Sequence, residues 1–140
     1  MNPTSFALRR GALIALTLVF ATALAACSNN SDASEPADGG GGTATVADGA
    51  VEITAEGLAF DATTIEAAAG EDFTITLVNN DSAPHNISIY TEEGGEALVT
   101  GGTAEAGQTV TIDVSALDAG EYYFQCDIHP DMNGSVVVSG

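Results

Sequence analysis

The sequence contains almost no basic side chains. Among its 140 residues, Arg9 and Arg10 are the only arginine or lysine residues, against 20 acidic residues, and the formal net charge is −18. Binding to nucleic acid through charge is therefore excluded, because it requires basic side chains facing the phosphates. A charged partner is expected to present a basic surface, and its association to slow as salt rises. General solubility or adaptation to a salty habitat explains the acidity equally well.

Cysteine and histidine are also scarce. The two cysteines are Cys27 and Cys126, and the two histidines are His85 and His129. If Cys27 is modified, Cys126 has no partner for an internal disulfide. A single cysteine in an exported protein is free, pairs with another molecule or binds a metal.

The first 26 residues have the pattern of a signal peptide. Two arginines precede an apolar run over residues 11–26, which is short for a membrane-spanning helix. The run ends in Leu-Ala-Ala followed by Cys27, which resembles a bacterial lipobox. That resemblance implies cleavage before Cys27 and attachment of a lipid to its thiol, which anchors a chain without spanning the bilayer. We expect an exported lipoprotein that faces the periplasm or the cell exterior; an ordinary signal peptide is the alternative.

The segment after the cleavage site has the composition of a linker. Residues 27–48 consist mainly of Ser, Asn, Asp, Ala and Gly, with four consecutive glycines at 39–42. Such a segment cannot bury a core and is predicted to be a flexible tether. The folded domain is predicted to cover residues 49–140.

The domain sequence alternates apolar and polar residues with a period of two, which is typical of half-buried strands. Short turn segments rich in Gly, Asn and Asp separate these stretches. The pattern predicts an all-β, antiparallel sandwich or barrel of about seven to eight strands, without a substantial helix. The strands are predicted at residues 51–55, 63–67, 73–78, 85–89, 109–114, 122–126 and 135–138.

Four chemistry-bearing side chains are predicted to meet at one end of this sandwich. Cys126, His129 and Met132 follow a Cys-x2-His-x2-Met spacing, and His85 lies upstream. By alternation, His85 opens one strand on its inward face, and Cys126 closes another on its inward face. The start of one antiparallel strand lies beside the end of its neighbour, so both side chains can point into the same pole. Gly134 is expected to let the chain turn back after them.

This donor set selects copper. Two imidazoles and a thiolate with a weak thioether are the ligands of blue copper sites. Zinc also binds two histidines and a cysteine, but a thioether is a poor zinc ligand. Taken singly, each residue has an ordinary explanation, such as a core histidine, an inert buried thiol or a packing methionine. Their joint spacing favours copper.

The same residues resemble the cupredoxin family, and the short ligand loop is most similar to that of the amicyanins, with plastocyanins more distant. The resemblance covers about residues 51–139 and implies a Greek-key β-sandwich with one copper ion. It implies that His85, Cys126, His129 and Met132 are the ligands. Asn86 resembles the asparagine that ties the two ligand segments together, and Pro130 adjoins the downstream histidine.

The resemblance implies a one-electron carrier between extracytoplasmic redox proteins. The acidity of the chain favours a partner with a basic docking surface, such as a cytochrome or an oxidase. A copper storage or delivery module is the alternative. Copper oxidases and nitrite reductases need further histidines for a second copper, and both histidines here are already assigned. Catalysis is therefore not expected, and the chain is expected to act as a monomer.

Overall fold

A computed structural model describes residues 41–140 of the chain, so the predicted signal peptide and Cys27 lie outside the described residues. Within that range the chain forms ten strands and no helix. No helix suited to span a membrane occurs in this part of the chain. The strands are β1 (Gly42–Thr45), β2 (Ala50–Glu56), β3 (Ala59–Phe60), β4 (Ala62–Ala68), β5 (Phe73–Asn79), β6 (Ser88–Tyr90), β7 (Ala97–Thr100), β8 (Thr109–Val114), β9 (Gly120–Gln125) and β10 (Asn133–Ser139).

The strands form two sheets that pack as a β-sandwich. The six-stranded sheet has the order β1-β4-β10-β9-β6-β7, and the four-stranded sheet has the order β3-β2-β5-β8. The predicted all-β sandwich is confirmed, with ten strands rather than seven or eight. Three strands were not predicted. β3 and β7 are short, with two and four residues, and the low-complexity sequence of β1 carries no apolar alternation.

The sheets are mixed, whereas the alternation pattern predicted antiparallel pairing. β2 pairs in parallel with β5, and β4 pairs in parallel with both β1 and β10. Crossovers between the two sheets place strands side by side that are not joined by a hairpin. Local alternation reports which face of a strand is buried, and it carries no information about the direction of the neighbouring strand.

The core fills the space between the sheets, as the alternation predicts. In β5, Phe73, Ile75 and Leu77 are buried, and the residues between them are half-buried. Phe124 of β9 is the largest fully buried side chain and lies beside Phe60, with ring centroids 5.8 Å apart. Burial of this apolar surface is the main driving force for folding.

β1 lies in the stretch that the sequence predicts as tether. Its backbone pairs with β4 from Gly42↔Ala62 to Thr45↔Glu66, with one irregularity near its start. Edge pairing of this kind depends on main-chain hydrogen bonds, so a Gly- and Thr-rich sequence can join a sheet without large apolar side chains. Residues 42–45 therefore belong to the sandwich.

Candidate metal centre

The ends of β9 and β6 bring the upstream and downstream ligand candidates together. β6 pairs antiparallel with β9, with Ser88 opposite Gln125. The start of β6 thus lies beside the end of β9, as the sequence predicts. His85 itself precedes β6 instead of opening it, and its backbone makes an isolated two-way bridge with Ala104 (N···O 3.0 and 2.8 Å). Cys126 follows β9 directly.

Three donor atoms converge at this pole. Cys126 Sγ lies 3.8 Å from Nδ1 of His85 and 3.8 Å from Nδ1 of His129, and the two Nδ1 atoms are 3.2 Å apart. A point equidistant from the corners of that triangle lies about 2.1 Å from each, close to the ~2.0–2.3 Å bonds that first-row metals form with nitrogen and sulfur. The geometry and chemistry of the donors therefore fit a single small metal ion.

Met132 joins these residues through a tight loop. Its backbone N–H donates to His129 O (2.9 Å), and its carbonyl accepts from Cys126 N–H (2.9 Å). Its side chain is only 3% exposed. Asn133 Nδ2 donates to Pro130 O (2.8 Å) and closes the outer side of the loop. The seven-residue loop is therefore fixed by its own hydrogen bonds.

His85 and Cys126 are fully buried, whereas His129 is half-buried. The loop before His85 is held by Asn79, a buried side chain at the end of β5. Asn79 Nδ2 donates to Ala83 O (2.8 Å) and Ala104 O (2.9 Å), and its Oδ1 accepts from Asp81 N–H (2.8 Å). One amide therefore fixes both the loop before His85 and Ala104, whose backbone pairs with that of His85.

Asp81 orients the His85 ring. Its Oδ2 lies 2.9 Å from His85 Nε2, so that nitrogen carries the proton and Nδ1 keeps its lone pair for a metal. The same carboxylate accepts the backbone N–H groups of Gly57 and Leu58 (2.9 Å each). The Leu58 bond is the largest cause that lowers the pKa of Asp81; the Gly57 and His85 bonds add to it, and burial opposes it. Sequence reasoning missed Asp81, whose only signal is a carboxylate four residues before His85.

Replacing Asp81 with asparagine is expected to weaken copper binding by about 10-fold or more, since partners behind a histidine ligand typically contribute 10- to 100-fold to metal affinity. The measurement is a competition titration of the copper-free protein against a chelator of known affinity. Asp113→Asn is the control: it removes an equal charge on β8, at a carboxylate with no side-chain hydrogen bond within residues 41–140. Equal affinities for the two variants would show that Asp81 does not support His85.

The predicted Asn86 contact is present. Asn86 Oδ1 accepts the backbone N–H of Asp127 (2.8 Å), which joins the residue after His85 to the residue after Cys126. Sequence reasoning did not identify Asp127, although it directly follows Cys126. Its carboxylate accepts several further hydrogen bonds around this pole.

A β-sandwich with two imidazoles and a thiolate around one point, and a buried methionine in the same loop, defines the class of type 1 copper proteins. A family model described as a cupredoxin-like domain matches residues 13–138. The chain belongs to the cupredoxin family.

Curated relatives include two amicyanins. The chain is 30% identical to the amicyanin of Paracoccus denitrificans over 95 residues, which cover 68% of this chain and 70% of that protein. It is 31% identical to amicyanin-alpha of Methylorubrum extorquens over 90 residues, covering 64% and 72%.

Solved structures show the same similarity. The Cu(I) form of an amicyanin variant is 31% identical, with a TM-score of 0.52 and coverage of 67% of this chain and 86% of that one. A reduced auracyanin from Roseiflexus castenholzii is 22% identical, with a TM-score of 0.59 and coverage of 68% and 100%, and shows similarity of fold.

Proposed function

We propose that this protein is a one-electron carrier whose copper ion is held by His85, Cys126, His129 and Met132. The convergence of the three donor atoms at 3.2–3.8 Å carries the proposal. Copper bound at this site would supply a Cu(II)/Cu(I) couple for one-electron exchange between a reduced donor and an oxidised acceptor. The Cys126 thiolate and the two imidazoles would hold the ion, and Met132 would add a weak thioether ligand.

The chain's own contribution is a fixed coordination geometry. Asn79 and Asp81 hold His85 in place, while the loop hydrogen bonds hold His129 and Met132 in place. Ligands fixed in this way change position little between the two oxidation states, so little rearrangement opposes electron transfer. Amicyanins in the comparison support the function, since one solved relative is a Cu(I) form.

The complete burial of His85 and Cys126 favours electron transfer over copper delivery. A delivery module has to release its ion to an acceptor through exposed, exchangeable ligands. Rapid and reversible redox cycling without loss of copper to a chelating acceptor is expected. Slow cycling together with ready transfer of copper would favour the delivery function instead.

The proposed docking face surrounds His129, the more exposed of the two histidines. Ile128 in the ligand loop is 45% exposed, and Leu58 is 57% exposed in a turn that Asp81 ties to His85. Leu58 has a φ of 58°, a backbone conformation that is uncommon for residues with a side chain. Pro84 and Pro130 add apolar surface near the ligands. A small apolar rim of this kind suits the brief encounters of electron-transfer proteins.

Replacing His129 with glycine is expected to lower electron exchange by at least about 10-fold, because an imidazole ligand and its half-exposed edge are lost together. Added imidazole is expected to restore part of the rate. The measurement is stopped-flow reduction of the copper-loaded protein, with Val137→Ala as a control on the exposed face of β10. Unchanged exchange without imidazole would exclude this route.

The partner is proposed to present a basic surface, because residues 41–140 contain 17 acidic side chains and no lysine or arginine. Electron exchange with a basic cytochrome is expected to slow several-fold between low salt and 0.5 M salt, as screening shortens the reach of the charges. An acidic redox protein serves as the control, and its electron exchange with this protein is expected to become faster as salt rises. A rate with the basic cytochrome that does not depend on salt would contradict electrostatic steering.

The location is proposed from the sequence of the first residues. Residues 1–26 are proposed to direct export, and Cys27 to carry a lipid that holds the domain at a membrane facing the periplasm or exterior. Radiolabelled fatty acid is expected to enter the wild-type chain and not a Cys27→Ser variant. Equal labelling of the two would exclude lipid attachment at this cysteine.

A further inference from the structure

The carboxylate of Asp127 is the centre of a hydrogen-bond cluster beside the proposed metal site. Its Oδ2 accepts from Asn86 Nδ2 (2.8 Å) and from Ser88 Oγ (2.6 Å). Its Oδ1 accepts from the Tyr90 hydroxyl and, at 3.4 Å, from Gln125 Nε2. Four side chains on two neighbouring strands and the loop before them thus converge on one carboxylate.

The cluster links the two segments that carry the proposed ligands. Asn86 follows His85 and contacts both the backbone N–H and the carboxylate of Asp127, which follows Cys126. Ser88, the first residue of β6, is fully buried, and its hydroxyl donates a hydrogen bond to the Asp127 carboxylate. The carboxylate therefore joins the start of β6 to the end of β9. These two strand ends lie next to His85 and Cys126, respectively.

The cluster does not neutralise the charge of Asp127. All four donors are uncharged groups, and residues 41–140 contain no lysine or arginine. The carboxylate only accepts hydrogen bonds from these side chains, which is the behaviour of an ionised aspartate. The group is an ionised carboxylate at neutral pH, attached to the residue next to Cys126.

We infer that Asp127 is a positioning residue that fixes the two ligand segments and lowers the reduction potential of the copper site through its negative charge. The inference rests on the proposed copper-binding function. A nearby negative charge stabilises Cu(II) more than Cu(I), because the ion of higher charge interacts more strongly with it. Charge and hydrogen bonding around the cysteine sulfur are established means of tuning such sites.

The test is the reduction potential of the copper-loaded Asp127→Asn variant, measured by redox titration at pH 7. The variant keeps the size of the side chain and removes its charge. We expect the ratio of Cu(I) to Cu(II) at a fixed applied potential to rise by about three- to tenfold; tenfold corresponds to about 59 mV for one electron. Asp113→Asn removes an equal charge at the opposite end of the sandwich and is expected to change the ratio much less.

Tyr90→Phe separates charge from packing. It removes one donor and leaves the carboxylate ionised, so the potential is expected to stay unchanged or fall. A rise equal to that of Asp127→Asn would show that disruption of the cluster, and not the charge, moves the potential, and would overturn the inference.

Urea unfolding of the copper-free protein gives an independent measurement of the positioning role. The midpoint is expected to fall for both Asp127→Asn and Tyr90→Phe, and the double variant to lose less than the sum, because the two groups share one hydrogen bond. Strictly additive losses would contradict the cluster. If the wild-type protein binds copper without a thiolate charge-transfer band, the proposed function fails. If the Asp127→Asn variant keeps that band and the wild-type potential, only this inference fails.

Discussion

Replacing Cys126 with serine is expected to abolish the blue colour of the copper-loaded protein and to lower its copper affinity by more than about 100-fold. This exceeds the 10- to 100-fold loss that is usual when a residue hydrogen-bonded to a metal ligand is replaced. The thiolate is the proposed source of the strong, covalent bond to copper. A serine hydroxyl stays protonated at neutral pH and is a much weaker ligand. The measurement is a visible absorption spectrum together with a chelator competition titration.

The second cysteine provides a matched control for this experiment. Cys27→Ser makes the same cysteine-to-serine change in the segment before the domain, and the spectrum is expected to stay the same. Circular dichroism of both copper-free variants checks the fold, since Cys126 is part of the buried core. A blue Cys126→Ser protein, or a colourless Cys27→Ser protein, would contradict the assignment of the thiolate.

Replacing Phe124 with alanine is expected to destabilise the copper-free domain by about 3–5 kcal/mol, the usual cost of removing a buried aromatic ring. Domains of this size are stable by only about 5–15 kcal/mol, so the loss is a large share of the total. Phe124 is fully buried, stands opposite Ile89 across the β6–β9 pair and contacts Phe60. A drop in melting temperature of at least about 10 °C is expected.

The neighbouring position gives the control for this stability prediction. Tyr123 has a ring of similar size on the opposite face of β9, where it is half-buried and lies beside Tyr90 with ring centroids 6.5 Å apart. Tyr123→Ala is expected to cost less than half as much as Phe124→Ala. Urea unfolding with an unchanged m-value measures both. Similar losses of stability for the two variants would show that the buried ring of Phe124 contributes no more to stability than the half-buried ring of Tyr123.

The close approach of Gly134, in β10, to β4 and to Phe124 was not evident from the sequence. Gly134 was expected to serve the turn after Met132, yet its φ is not in the left-handed region. A Cβ at this position would lie 2.2 Å from Thr63 O and 2.7 Å from Phe124 Cε1. The position requires glycine because neighbouring atoms leave no space, and that space depends on strands that are distant in the sequence.

The sequence determined which residues face the core and which side chains belong to the metal site. Alternation with a period of two follows directly from strand geometry, so it gave the buried positions of β5, β8, β9 and β10. The buried residues of β4 do not follow this period. Cys126, His129 and Met132 lie within seven residues of one another in the sequence, and a short loop keeps them close in space as well. Placing His85 beside Cys126 additionally required the assumption that the strands carrying them are antiparallel neighbours, which the structure bears out.

Only the tertiary structure decided the parallel strand pairs, the addition of β1 to the sheet edge, and the carboxylates of Asp81 and Asp127 beside the ligands. These features depend on contacts between segments that are far apart along the chain. Asp81 meets the turn at Leu58, and Asp127 meets Tyr90 across 37 residues. A side chain's own sequence neighbourhood does not specify such partners, because packing of the two sheets brings them together.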